Sequence, residues 1–222
     1  MTTRPPCSPA TQRGFTLIEL LVALAVMALM ATMGWRALAG MQQAQEVNQR
    51  VSDAVLTTEA GLNQWTTDLD AVQELPATRA LEWDGRSLRI TRRAAPPTEG
   101  VTVVAWTRAT RQGTPQWLRW QSAPVQSVEA WQAAWAAASA WAQGTESPEL
   151  RAREVAIAEL EQWQLFFYRG GAWSNPLSST GTPDTATAPD GVRLVLTLPA
   201  SHPLAGSLVR DWASGALTGA TQ

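Results

Sequence analysis

Two patterns of apolar residues divide the first third of the chain. From Phe15 to Trp35 every position is apolar except Thr16, Glu19, Thr32 and Gly34. As a helix, this run of roughly 20 residues spans about 30 Å, the thickness of the hydrocarbon core of a bilayer. Further along, Val47, Val51, Val55, Thr58, Leu62, Trp65, Leu69 and Val72 recur at spacings of three and four. That spacing marks one face of an amphipathic helix, and the face needs a partner. No proline interrupts residues 15 to 75, and Pro76 follows, so the pattern predicts one helix over 15–75, about 90 Å long. Gly34, Gly40 and Gly61 are its weak points, each costing up to about 1 kcal/mol against alanine.

After Pro76 the period falls to two. ALEWDGRSLRITR (80–92) reads as a hairpin turning at Asp84-Gly85. VTVVAWTRAT (101–110) and PQWLRWQS (115–122) pair across Gln112-Gly113-Thr114. ELEQWQLFFYRG (159–170) and GVRLVLTLP (191–199) read as core strands, and AGSLVRDWAS (205–214) as a terminal edge strand. The total is six or seven strands. One segment breaks the series: in SVEAWQAAWAAASAWA (127–142), Val128, Trp131, Trp135 and Ala138 fall at helical spacing with Trp141 close to the same face, predicting a short inserted helix. Residues 144–149 and 175–190 read as loops, and those after Gly215 as a frayed end.

Composition narrows the function by exclusion. A chain of 222 residues suits one domain, or one domain with an extended appendage. A net charge of −2 without a basic stripe, all 17 cations being arginine, argues against a nucleic-acid partner. Cys7 is the only cysteine, so no internal disulfide forms. His202, the only histidine, sits beside Pro203 in a predicted surface turn, with no second His or Cys to build a metal site or a nucleophile–base pair. Asp184 and Asp190 share a polar loop that offers neither the burial that raises a carboxyl pKa nor the alternating oxygen ligands of a calcium loop. No catalytic residue, metal or cofactor is expected. Of the twelve tryptophans, Trp83, Trp106, Trp117 and Trp163 fall in predicted strands and belong in the core. The helical face of Trp131, Trp135 and Trp141 is either packing or, if exposed, the first candidate for contact with another subunit.

Glu19 is the remaining anomaly, because a carboxylate in hydrocarbon costs on the order of 2.5–3.5 kcal/mol at mid-membrane. A cleaved secretory signal has a shorter apolar region and a small-residue cleavage site after it. A plain signal anchor leaves Glu19 unexplained, unless it is merely a solvated residue at the membrane edge. Gly14, Phe15, Thr16, Leu17, Ile18 and Glu19, followed by Leu20, Leu21 and Val22, instead resemble the prepilin signature of type IV pilins and type II secretion pseudopilins. The resemblance implies that a prepilin peptidase/N-methyltransferase cuts between Gly14 and Phe15 on the cytoplasmic face and methylates the new amino group of Phe15. Loss of the leader with Arg4 and Arg13 takes the charge from −2 to −4. It also creates an ammonium group on Phe15, about 6 Å along the helix from Glu19. The helix dipole favours a carboxylate in the first turn, and the amine of an adjacent subunit compensates it further, so the resemblance makes Glu19 an assembly residue.

Taken whole, the chain resembles the J-type minor pseudopilins of type II secretion, through WRALAGMQQAQE (35–46), WQLFFYRGGAW (163–173) and GVRLVLTLP (191–199) as well as the signature. The resemblance implies a pilin-like α+β fold, a long N-terminal helix packed on an antiparallel β domain in two sheets. It divides the chain into a leader (1–14), a transmembrane half-helix (15–35), a periplasmic amphipathic half-helix (36–75) and a β-rich periplasmic domain (76–222) with the inserted helix at about 127–142. The implied protein is a single-pass inner-membrane subunit with a cytoplasmic N-terminus, an orientation that Arg4 and Arg13 favour and Arg36 weakens. Its implied partners are the peptidase, I-type and K-type minor pseudopilins, an H-type subunit as a further candidate, and the major pseudopilin, in a hetero-oligomeric pseudopilus tip. The alternatives are a minor pilin of a type IV pilus and, in a different class, a signal-anchored periplasmic binding protein or enzyme.

Overall fold

Helix α1 spans Leu17–Asp70. The computed structural model describes residues 14–145, 147–178 and 188–215; Arg4, Cys7, Arg13 and Asp184 lie outside the described residues. Two compact units emerge, Met1–Arg50 and Val51–Gln222. In the first, α1 runs through Gly34 and Gly40 without interruption and its side chains are exposed throughout. By length and composition this helix is able to cross a membrane.

In the second unit, the remainder of α1 is packed on two antiparallel sheets. Strands β1 (Leu81–Trp83), β2 (Ser87–Arg93), β3 (Val101–Arg111), β4 (Thr114–Gln121) and β5 (Glu154–Glu159) form one sheet in sequence order. Strands β6 (Gln162–Arg169), β7 (Ala172–Ser174), β8 (Gly191–Leu198) and β9 (Gly206–Ala213) form the other, in the order β7-β6-β8-β9. The described residues thus hold nine strands, not six or seven. The two additions are β5, a sheet edge only partly buried, and β7, three exposed residues; neither carries the alternating apolar pattern that reveals a strand. The expected edge strand is β9, paired only with β8.

Alternation decides the layers. Leu88, Ile90, Val104, Trp106 and Trp117 point to the side shared with Trp65 and Leu69 of α1 and with Leu165, Val192, Leu194 and Leu196 of the second sheet. Val103, Ala105, Leu118 and Trp120 point the other way, onto α2 (Val128–Ala142). The first sheet is therefore buried on both faces, which is why β3 is apolar almost without a break. A short helix, α3 (Pro148–Arg151), precedes β5 where a loop was expected.

Two turns follow from residue chemistry. At β3–β4 the residues Gln112 and Gly113 have φ of 52° and 82°, the left-handed pair of a two-residue hairpin that glycine favours. At β1–β2 the Asp84 carboxylate accepts from the N–H groups of Arg86 and Ser87 at 2.9 and 2.7 Å. Burial raises its pKa, but these bonds and the nearby Arg89 prevail and hold it below the usual aspartate value.

Helix α1 ends at Asp70, short of the predicted residue 75. The reason is tertiary. Beyond β1 the edge of β2 is free, and the chain leaves the helix to pair with it: Gln73 N–H bonds Thr91 C=O at 2.9 Å and Arg93 N–H bonds Ala71 C=O at 2.8 Å.

Candidate functional site

The N-terminal motif forms a compact helix start. Gly14, Phe15 and Thr16 precede the helix, and all three are exposed. A Cβ built on Gly14 meets nothing within 4 Å. Thr16 is the residue before the first turn: its C=O accepts from Glu19 N–H at 3.1 Å and Leu20 N–H at 3.3 Å. The Glu19 carboxylate reaches back to Thr16, accepting from its N–H at 3.4 Å and its hydroxyl at 3.3 Å. This is the return half of a capping box. The spacing Thr-x-x-Glu is its sequence signal, and it supplies a role for Glu19 in the precursor that the prepilin reading alone omits. In the first turn the carboxylate also complements the helix dipole.

The predicted amphipathic face finds its partner late. Val47 and Val51 are 45% and 40% exposed, and burial begins only near Val55 and is complete at Thr58, Trp65 and Leu69. Trp65 is enclosed by Trp106, Trp117 and Trp163, with ring centroids 5.4, 6.1 and 6.4 Å away. Gly61, read from sequence as a weak point, is a point of closest approach: a Cβ there falls 2.2 Å from Ile157 Cγ2 on β5 and 3.2 Å from Trp117. A side chain at 61 would hold the helix off the sheet.

A buried carboxylate fastens this stretch to the first sheet. Asp68 is fully buried and accepts from Gln64 Nε2 (2.9 Å), Trp106 Nε1 (2.9 Å) and both Nε and Nη2 of Arg119 (2.8 and 2.9 Å), with Arg92 as a further ion-pair partner. Toward the second sheet, Asp70 accepts from Trp212 Nε1 at 2.7 Å and Asn63 from Arg210 at 3.1 Å. Sequence reading missed Asp68. Its signal was position, three residues after Trp65 on the apolar stripe, where an acid survives burial only with partners.

The tryptophan face of α2 is packing and offers no free aromatic surface: Trp131, Trp135 and Trp141 are buried. Their indoles are tied to the first sheet, Trp131 Nε1 donating to Thr91 Oγ1 at 2.9 Å and Trp141 Nε1 to Glu154 at 2.7 Å, while the Arg89 guanidinium lies 5.0 Å from the Trp135 ring. Burial raises the Glu154 pKa, but the bonds from Arg111 and Trp141 outweigh it and hold the carboxyl below the usual range. Trp106 and Trp117 are fully buried, and Trp83 and Trp163 pack partly buried on the same core.

His202 departs from the sequence reading. It occupies a turn but is half-buried, with Nε2 3.5 Å from Thr58 Oγ1 of α1 and Nδ1 accepting from Leu204 N–H at 3.1 Å. Asp190 is exposed, and Asp184, its partner in the carboxylate and calcium readings, lies outside the described residues.

Residues 9–35 match the prokaryotic N-terminal methylation motif. No curated protein matches the chain. Among solved structures, a chain of the GspK-GspI-GspJ complex from the enterotoxigenic Escherichia coli Type 2 Secretion System is similar, at 16% identity and a TM-score of 0.45, covering 72% of this chain and 96% of that one.

Proposed function

We infer that the protein is an assembly subunit with no reaction of its own, a minor pseudopilin of J type in the tip of a type II secretion pseudopilus. The observation that carries this reading is the methylation motif seated at the start of a long apolar helix with exposed side chains. Among the described residues the apolar half of this helix is exposed throughout, and the natural surroundings of such a surface are lipid first and neighbouring helices afterwards. Processing at Gly14–Phe15 would place an ammonium group beside the capping-box carboxylate of Glu19. In a medium of low dielectric an unpaired carboxylate is costly, so Glu19 favours insertion beside another subunit's amine. The globular unit would lie in the periplasm, with I-type and K-type minor pseudopilins as neighbours; the runs at 35–46, 163–173 and 191–199 support the J-type assignment.

The deciding experiment is mass spectrometry of the mature N-terminus in cells that contain prepilin peptidase, together with identification of the copurifying proteins. An N-methylated Phe15 terminus with minor pseudopilins as companions is expected. A chain that keeps its first 14 residues in those cells would leave a plain membrane anchor, and pilus subunits as companions would move the assignment to a type IV pilus.

A further inference from the structure

Among the described residues the two sheets present four edge strands, and three of them are blunted. β1 and β7 are three residues long, and beyond β1 the free stretch of β2 is taken up by Ala71 and Gln73. β5 meets β4 across a register shift at Trp117–Leu118. β9 has none of these devices. Its eight residues pair with β8 without a bulge, and the strand holds no proline or lysine. Short length, bulges, proline and lysine are the usual means by which a sheet edge refuses another strand.

The alternation of an antiparallel ladder fixes which backbone groups of β9 are free. Ser214 N–H bonds Asp190 C=O at 2.8 Å in the register of the strand pairs, so Gly206, Leu208, Arg210 and Trp212 turn their N–H and C=O groups toward β8. Those of Ser207, Val209, Asp211 and Ala213 point away from the sheet and have no partner among the described residues. All four residues are exposed. The two charges of the strand, which would otherwise guard the edge, are engaged within the chain: Arg210 donates to Asn63 of α1 at 3.1 Å, and Asp211 accepts from Arg193 Nε and Nη2 at 2.7 and 2.6 Å. Apolar surface flanks the edge on both faces. Val209 is 59% exposed on the outer face, and Leu56, 63% exposed, stands at heptad spacing from Asn63 and Asp70, the residues through which α1 bonds β9.

We propose that β9 is an acceptor edge, extended by a strand of a neighbouring protein subunit that sets one apolar side chain beside Val209 and another, on the opposite face, beside Leu56. Bonds to the backbone of Ser207, Val209, Asp211 and Ala213 supply the affinity, and the two apolar contacts supply the selectivity. The choice of a subunit as occupant rests on the assembly reading above.

The test uses the full processed chain in detergent, with a capped pentapeptide of alternating valine and threonine as the probe and backbone amide resonances as the readout. The peptide is expected to shift Ser207, Val209, Asp211 and Ala213 saturably, and the same peptide N-methylated at its bonding amides is not. Val209→Pro deletes an outward N–H at the centre of the edge and leaves every bond to β8 in place. It is expected to keep the unfolding midpoint of the wild type while weakening peptide binding and lowering recovery of companion subunits, each about tenfold. Should the proline variant not fold, Val209→Lys, which adds a guarding charge on the exposed face, carries the same expectation. Failure of the peptide to saturate, equal binding of the N-methylated peptide, or undiminished companion recovery in a folded variant that has lost peptide binding would each overturn the proposal. A dimer of the wild-type chain that Val209→Pro abolishes would overturn the choice of occupant and give the edge to a second copy. Absence of any companion from the wild-type preparation overturns the assembly reading instead, and persistent peptide binding tells the two failures apart.

Discussion

Asp68 on the long helix and Arg119 on β4 meet through two parallel hydrogen bonds, Nε to Oδ2 at 2.8 Å and Nη2 to Oδ1 at 2.9 Å, around a carboxylate that no solvent reaches. Removing one member of a buried pair strands the other, a loss of about 3–5 kcal/mol. Asp68→Asn is therefore expected to destabilise the globular unit by about that amount, since it leaves Arg92 and Arg119 without a counter-charge. Urea unfolding followed by tryptophan fluorescence checks this. A loss under about 1 kcal/mol, the range of exposed pairs, would show that water reaches the carboxylate.

Gly61 and Ile157 make the second contact between the helix and the sheet. In an isolated helix Gly61→Ala gains up to about 1 kcal/mol of propensity, but here the new methyl meets Ile157 Cγ2 at 2.2 Å. Overpacking of this kind costs about 1–3 kcal/mol, so the substitution is expected to be net destabilising. Repeating it in an Ile157→Ala background, which deletes the clashing methyl, should reverse the sign. A double-mutant cycle from denaturant unfolding measures the coupling, and additive effects would place the helix further from β5 than described.

The two contacts also mark what sequence could reveal. The stripe Leu62, Trp65, Leu69 and the alternation Leu88, Ile90 and Val103 to Trp106 announce a helix on a sheet because burial writes its period into the chain. The tryptophan spacing announces α2, and the structure adds that the Ser127 side chain caps its first turn. Strand β5 was hard to read: it is an edge, half of it faces solvent, and its strand formers Val155 and Ile157 alternate with alanines instead of polar residues, which blurs the two-residue period. The end of the helix at Asp70 was equally hidden, because an unpaired stretch of β2 ends it and Pro76 does not. Glu19 was conspicuous as an acid among apolar residues and Asp68 carried a fainter form of the same signal beside Trp65 and Leu69, whereas its partners Arg92 and Arg119 reveal themselves only once folding brings them together from separate elements.

Acid should loosen the packing of α2 on the first sheet. The Glu154 carboxyl is held below the usual glutamate value of 4.5 by its bonds from Arg111 and Trp141, against the opposing effect of burial. The folded pKa lies below the unfolded one, so the contribution is complete above about pH 4.5 and is lost as pH falls below it. Asp84 has the same sign: against the effect of burial, its carboxyl is held below the ordinary aspartate value of 3.8 by the bonds from Ser87 and Arg86 and by Arg89. Stability measured between pH 6 and pH 3 is expected to decline most steeply below pH 4.5, and Glu154→Gln is expected to flatten that decline while lowering stability at pH 6. An unchanged slope in the variant would assign acid sensitivity to other carboxylates.

At the N-terminus, the capping-box contact between Thr16 and Glu19 and the proposed assembly charge of Glu19 make opposite demands on one substitution. Glutamine at position 19 keeps a side chain able to accept from the Thr16 N–H, so it preserves the cap while deleting the charge. If the charge matters for docking, Glu19→Gln should be cleaved normally, with mass spectrometry finding Phe15 as its first residue. It should still lose about tenfold or more in companion subunits, the same outcome expected of Glu19→Ala, a tenfold loss corresponding to about 1.4 kcal/mol of pairing free energy. Thr16→Ala, which removes only the hydroxyl contact, should leave recovery near wild type. Gly14→Val, by contrast, is expected to stop cleavage while the precursor remains in the membrane fraction. Full recovery with glutamine and loss with alanine would reduce Glu19 to a helix cap, and the subunit contact would have to be sought elsewhere along the exposed helix.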